Sequence, residues 1–322
     1  MSPGLTEAAF RHLIVDGGKS KTDAIVIDSE GQTLSSSRGP GLEMIGSPNG
    51  PERVAASLRE TLAHLDHLEE GLHTVSFGLN GVQAPSAEAS AALALIRGLT
   101  KAHRYIVASD AIMNYAGALG FEPGVVVAVG TGSVILAVGR DSGFHRVDAN
   151  GPLLGDRGSG YEVGRRGLVS AFQVADGMSG SSSLYEQMLK RFGGVEPAMK
   201  AVYGDVNPSR VIASFSRNVA VSAEAGDVAA VRIWTEAGKV LAQGVIAAAR
   251  KAELDLVPFD VVCAGGLFNV GRLLSEPFEA ELDSLAPSAR VQPARGGALE
   301  GGAMFALQAH PIWTEVSTWV VD

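Results

Sequence analysis

Apolar positions follow two rhythms along the chain, and the rhythms trade places in blocks. Residues 12–16, 22–28 and 31–37 carry short β-branched runs and alternation that predict strands, with "DSEGQ" as the turn between the second and third. From 52 to 68, "ERVAASLRETLAHLDHL", apolar residues recur three and four apart and predict a helix. A strand at 73–81 and a helix at 86–99 follow. "RYIVASDA", 104–111, reads as a strand ending in a polar corner, and "AIMNYAGALG" as a short helix closing on Gly120.

The pattern then starts again. "VVAVGTGSVILAVGRDSG", 126–143, matches the opening "LIVDGGKSKTDAIVIDSEG", 13–31, as strand, glycine-rich turn with hydroxyls, strand and turn. Self-similarity of this kind predicts two copies of one unit, each opening a half of the chain. The second half continues with "NGPLLGDRGSGYEVGRRGL", a helical region from 181 to about 254, a strand at 259–268, a helix, a strand at 289–293 and a closing helix at 296–310. The long amphipathic face within 227–254 reads as core or domain packing. We expect an α/β protein whose two halves, 1–115 and 116–322, pack with a cleft between them, the helix at about 297–310 returning to the first half.

Gly18-Lys19-Ser20 copies the last three letters of a Walker loop, but the glycine such a loop needs five residues before Gly18 is Leu13. A strand follows it instead of a helix. The motif is therefore a hairpin tip.

Composition narrows the function classes. The chain has 322 residues, 46% hydrophobic and 19% charged, enough apolar material for large cores. A net charge of −9 with thinly spread Lys and Arg argues against nucleic-acid or anionic-membrane partners. Cys263 is the single cysteine, so one chain builds no disulfide and no cysteine-held zinc or iron–sulfur site. The first residues show no secretory pattern, and the longest uncharged run is broken by glycines. These features predict a cytoplasmic protein.

At the first hairpin, Gly17 and Gly18 let backbone N–H groups approach an anion, while Ser20 and Thr22 add hydroxyl donors and Lys19 and Lys21 add charge. Asp16, at the strand end, suits a magnesium ion, which prefers oxygen ligands and keeps waters. Gly130, Thr131, Gly132 and Ser133 repeat the donor set. Two such tips facing each other would grip a polyphosphate. Asp110 reads either as a helix cap or, opposite Asp16 across the cleft, as a general base for a hydroxyl group. "GDRGSG", 155–160, is either a loop with an N-cap or a means of placing Asp156 near a substrate or metal. Gly265 and Gly266 end a strand where a nucleotide base or ribose could lie on backbone. His64 and His67 read as solvated, and no nucleophile elbow is present.

In this order "DGGKSKT", "ASDA", "GTGS", "GDRGSGY" and "AGGLF" resemble the actin-like ATPase superfamily of sugar kinases and Hsp70 chaperones, and within it the N-acetylglucosamine kinase and BadF/BadG-type ATPase family. The likeness runs from about Leu13 to the final helix. It implies two actin-like (ribonuclease H-like) domains, ATP and magnesium as cofactors, an amino-sugar substrate and a homodimer. Residue by residue, it implies that Asp16 to Thr22 form the first phosphate loop and that Thr131, Gly132 and Ser133 belong to the second. Gly265 and Gly266 would contact adenosine, Asp110 would take the proton from the sugar hydroxyl, and Asp156 would lie in the sugar-side loop.

Three positions depart from the family pattern. Asn150-Gly151 stands where a tryptophan is common, Arg157 where "GDEGS" has glutamate, and "GPGLEMIG" with Glu43 where an asparagine meets the sugar. Gly151 and Glu43 are accordingly sugar-side candidates, Glu43 as a partner for a cationic amine. A second branch of the family activates 2-hydroxyacyl-CoA dehydratases through a cysteine-held cluster, and a single cysteine in the adenosine strand disfavours it. A non-catalytic sugar or nucleotide sensor ranks third, because Asp110 is present.

Overall fold

A computed structural model describes residues 10–19, 21–68, 71–83, 85–308 and 317–321. The chain falls into two units, divided between Glu122 and Pro123 and again between Pro293 and Ala294. The first boundary lies after 115 because the helix begun at Asp110 runs on and closes at Gly120, φ +65, as its C-cap.

The first unit begins with β1 (His12–Gly17), β2 (Lys21–Ile27) and β3 (Thr33–Pro40), then α1 (Gly50–Leu62), β4 (Leu72–Leu79), α2 (Ala87–Leu99), β5 (Ala102–Ser109) and α3 (Asp110–Leu119). The second unit holds β6 (Gly124–Val129), β7 (Ser133–Val138), β8 (Phe144–Asp148), α4 (Gly151–Leu154), α5 (Gly160–Ala175) and α6 (Ser182–Phe192). It continues with α7 (Val195–Tyr203), α8 (Pro208–Ser214), α9 (Ser216–Glu224), α10 (Val228–Lys251), β9 (Phe259–Ala264), α11 (Arg272–Leu285) and β10 (Ala289–Gln292). The chain then returns to the first unit with α12 (Ala298–Leu307) and β11 (Ser317–Val321).

Five strands of the first sheet repeat the order of the second, and β11 adds an antiparallel edge to the first. In the first the order is β11-β5-β4-β1-β2-β3, and in the second it is β10-β9-β6-β7-β8. In each, the opening hairpin and its third strand are antiparallel, and the first strand then pairs in parallel with a later strand, β4 or β9. The repeated hairpin read from the sequence therefore occupies equivalent places in both sheets. The first strand of each repeat is buried on both faces, which is why "LIV" and "VVV" are continuous rather than alternating. β3, on the sheet edge, is the polar "TLSSSRGP".

Unit 1 packs Leu13, Val15, Leu58, Phe77 and Ile96 into its core, and unit 2 packs Val125, Val127, Phe215, Trp234 and Phe278 into its own. Each such large side chain contributes about 1.5–3 kcal/mol on burial. Where α3 meets α12 the packing is backbone to backbone. A Cβ on Gly117 would lie 1.9 Å from the Gly297 carbonyl oxygen, and one on Gly301 would lie 1.8 Å from that of Met113.

Three element boundaries differ from expectation. The helix over 52–68 stops at Leu62, and Leu65 is buried by a turn bonded to the Leu62 carbonyl at 3.0 Å. The helical region over 181–254 is cut at Gly193 and Gly194 (φ +86 and +154), Pro208 and Gly226 (φ +85), leaving α10 as its 24-residue core helix. The strand over 259–268 ends at Ala264, and residues Gly266–Val270 form a 3-10 turn. Among the described residues no helix is long and apolar enough to cross a membrane.

Candidate active site

In unit 1 the strands β1, β4 and β5 run parallel and end in register, Gly17 opposite Leu79 and Leu79 opposite Ser109. This sets Asp16, Asn80 and Asp110 along one carboxyl edge, the place where ligands bind to open α/β sheets. Asp110 opens α3, whose N-cap hydroxyl, Ser109, accepts from the Ala111 N–H at 3.2 Å. The Asp110 carboxylate also accepts from Ala111 N–H at 2.8 Å and from the Ser109 hydroxyl at 3.2 Å. Capping and basicity are thus shared between neighbours: Ser109 is the cap, and Asp110 keeps a carboxylate at the strand end. Burial pushes its pKa up, held back by the Ala111 and Ser109 hydrogen bonds and by the charge of Lys19.

Asp16 is raised to about 6, first by burial and then by the negative charge of Asp110. The two carboxylates therefore share one site in one unit, and Asp110 does not sit across a cleft from Asp16. Between their strands Asn80 donates its backbone N–H to the Gly17 carbonyl at 2.9 Å, while its side-chain Nδ2 is buried without a hydrogen-bond partner. Sequence reading passed over Asn80. The signal was a polar residue directly after the apolar strand "TVSFGL".

The first hairpin tip is shaped by Gly17, where a Cβ would come 2.4 Å from Leu42 Cδ1. The Gly18 N–H donates to the Lys21 carbonyl at 3.1 Å, and the Gly18 carbonyl accepts from Leu42 N–H at 2.9 Å. Ser20 lies outside the described residues. Thr22 leaves the donor set: its side chain is fully buried and its hydroxyl donates to the Pro40 carbonyl at 2.7 Å. The inward-facing position in an alternating strand decides this, since Thr22 points to the core while Lys21 and Asp23 point out. Lys21 pairs with Asp23, which also takes Arg38 Nε at 2.5 Å, so Lys21 is engaged on the exposed hairpin face. Glu43 likewise has a partner, Arg53 Nη2 at 3.0 Å, which occupies the carboxylate expected to meet an amine.

Unit 2 builds its own group at the carboxyl ends of β6 and β9. The tip Gly130-Thr131-Gly132 closes with Gly130 N–H donating to the Gly132 carbonyl at 2.8 Å. Gly265, φ +93, lies against it, since a Cβ there would sit 2.3 Å from the Val129 carbonyl oxygen. The second phosphate-loop candidates and Gly265, one of the two glycines expected to meet adenosine with Gly266, are thus neighbours. Asp156 joins them: it is 5% exposed, it accepts the Ser133 N–H at 3.3 Å, and a Cβ on Gly132 would meet its Oδ1 at 2.8 Å. Ser133 is 4% exposed and its hydroxyl donates to the Arg157 carbonyl at 2.9 Å, so it too leaves the set of phosphate-facing hydroxyls. Gly151, φ +77, opens α4 beside the exposed Leu153 and Leu154 and has nothing within 4 Å of a Cβ position. Asp148, which the sequence reading did not single out, accepts from the Asp156 and Arg157 N–H groups at 2.8 and 2.9 Å.

The model of the BadF/BadG/BcrA/BcrD ATPase family matches residues 15–301. The chain belongs to this ATPase family. Among similar proteins, the N-acetyl-D-glucosamine kinase of Dictyostelium discoideum is 26% identical over 92% of this chain and 97% of its own length. The N-acetylmuramic acid/N-acetylglucosamine kinase of Clostridium acetobutylicum is 25% identical over 91% of this chain and 96% of its own. The crystal structure of a candidate N-acetylglucosamine kinase from Chromobacterium violaceum shares the fold, with a TM-score of 0.73 at 23% identity, covering 94% of this chain and all of that one.

For an ATPase of this family the donors present are of the right kind. Two carboxylates and a lysine stand at one sheet edge, and a glycine tip with a buried aspartate at the other. Among the described residues no three His, Cys, Asp or Glu side chains converge to hold a metal alone. Magnesium binds through one or two carboxylates together with waters and phosphate oxygens, and Asp16 is a donor of that kind.

Proposed function

We propose that this ATPase-family chain is an ATP-dependent kinase that phosphorylates a hydroxyl of an amino sugar, N-acetylglucosamine or glucosamine. The observation that carries the reading is the Asp16–Asp110 pair at the carboxyl edge of the first sheet. Burial makes the Asp110 carboxylate a stronger base than a solvated one, which suits removal of a proton from a poorly acidic sugar hydroxyl. Lys19, close enough to act on the Asp110 charge, offsets negative charge on the same side.

Asp16, with its waters, would hold the magnesium ion, which neutralises phosphate charge when bound. The first tip at Lys19 and the Thr131 and Gly132 tip would bind phosphate oxygens, and Gly265 and Gly266 would lie against adenosine. Asn80 Nδ2, buried and unpartnered, is a ready donor to a substrate oxygen between the two carboxylates. A cytoplasmic homodimer fits the same reading.

The test is a coupled ADP-release assay over hexoses, glucosamine and N-acetylated hexosamines. A sugar from the amino-sugar group should stimulate release, and Asp110→Asn should lower kcat by about 10²–10⁴ with sugar KM changed less than about threefold. ADP release that no sugar stimulates refutes the kinase reading. Full activity in Asp110→Asn refutes the base assignment alone.

A further inference from the structure

One carboxylate outside the groups assigned so far organises a whole loop. Asp148 ends β8, is 8% exposed and holds a left-handed φ of +64, a conformation that favours glycine. Its Oδ1 accepts from Asp156 N–H at 2.8 Å, and its Oδ2 accepts from Arg157 N–H at 2.9 Å and from Arg157 Nε at 3.2 Å. Asp156, which donates the first of these bonds, is itself left-handed at φ +54. Backbone in this region persists where surrounding bonds over-determine it.

From that anchor the loop reaches the second glycine hairpin. Asp156 accepts the Ser133 N–H at 3.3 Å, the Arg157 carbonyl accepts the Ser133 hydroxyl at 2.9 Å, and the Ala149 N–H donates to the Ser133 carbonyl at 3.2 Å. Residue 157 is thus stitched on one side to the end of β8 and on the other to the start of β7. A glutamate at position 157 would set two carboxylates against each other. The guanidinium instead neutralises a side chain that is only 4% exposed.

We infer that Asp148 is a positioning residue for nucleotide binding: with Arg157 it fixes residues 155–159, which hold Asp156 and Ser133 in place and so keep the Thr131-Gly132 tip shaped for phosphate. The inference rests on the phosphate-loop reading of that tip.

Calorimetric titration of magnesium-ADP into the full chain tests it, alongside steady-state kinetics and thermal unfolding. Asp148→Asn turns an acceptor into a donor facing Arg157, and its Kd for ADP should rise tenfold or more. Arg157→Met keeps the backbone bond to Asp148 and should raise Kd threefold to tenfold, while Arg157→Lys should stay within twofold of wild type. The KM for ATP should follow Kd, and the sugar KM should stay within twofold. If Asp148→Asn does not fold, Arg157→Met decides, since that side chain is 56% exposed and folding does not depend on its head group. Folded variants that bind ADP like wild type, or that change only the sugar KM, overturn the positioning role. A wild-type chain that binds no ADP overturns the phosphate-loop reading beneath it.

Discussion

Replacing Asp16 by asparagine should make the protein more stable and less active, and the two effects have one cause. In the folded chain the Asp16 carboxyl is raised from its ordinary 3.8 to about 6 by burial and by the charge of Asp110. The folded state therefore holds this proton more tightly than the unfolded state. The favourable contribution is fully present below pH 3.8 and is lost as pH rises through about 6. At about 1.4 kcal/mol for each pH unit between the two values, the ionised form costs the fold up to about 3 kcal/mol. Asp16 is half-buried, so screening at the sheet edge reduces this to ~1–3 kcal/mol.

Asn has a similar shape and no charge, so Asp16→Asn should match wild type near pH 4 and exceed it by ~1–3 kcal/mol at pH 8. Urea denaturation of both proteins across that range measures the difference, and taking the difference cancels groups that titrate equally in both. His12 is one such group, and its slope has the opposite sign. In the same variant kcat should fall by about 10²-fold or more, because the carboxylate proposed to hold magnesium is gone. A variant less stable than wild type at pH 8, or a stability difference that does not grow with pH, refutes the electrostatic account of this site. A gain in stability with full activity would keep the electrostatics and remove Asp16 from catalysis.

Two further outcomes follow from the fold of the first unit. His12 is 5% exposed, its Nδ1 is buried without a partner, and burial followed by His73 and Arg104 lowers its pKa from 6.5 to about 4. Its contribution is therefore present above pH 6.5 and lost as pH falls towards 4, so His12→Leu should flatten acid destabilisation by up to about 3 kcal/mol in thermal unfolding compared at pH 8 and pH 4.5. Wild-type acid sensitivity retained in the variant counts against that assignment. Gly301→Ala would place a methyl group 1.8 Å from the Met113 carbonyl oxygen, and backbone cannot turn aside as a side chain can. It should cost about 3 kcal/mol or more, and a loss below ~0.5 kcal/mol would mean that α3 and α12 do not pack in this way.

Much of the candidate site is a matter of local chemistry. A strand that ends in Asp-Gly-Gly, and a later one that ends in Gly-Thr-Gly, announce hairpin tips, because the turn conformation depends on residues a few positions apart. Each tip joins two antiparallel strands, β1 with β2 and β6 with β7. The hydroxyls are a different matter. Thr22 and Ser133 look alike in sequence to any phosphate-facing donor, and the pleat and distant carbonyls decide otherwise, Pro40 for the first and Arg157 for the second.

What the sequence determined alone was the repeat, the α/β class, the glycine tips and the residue types at the strand ends, since periodicity and turn preference are set by near neighbours. Only the tertiary structure decided which groups meet. It brought Asp16 and Asp110 to one edge through the register of β1, β4 and β5, gave Glu43 to Arg53, set Asn80 between the carboxylates, and made Asp148 the anchor of a loop. Such pairings depend on strand order and on which face of each strand is buried, quantities fixed by the packing of the whole unit.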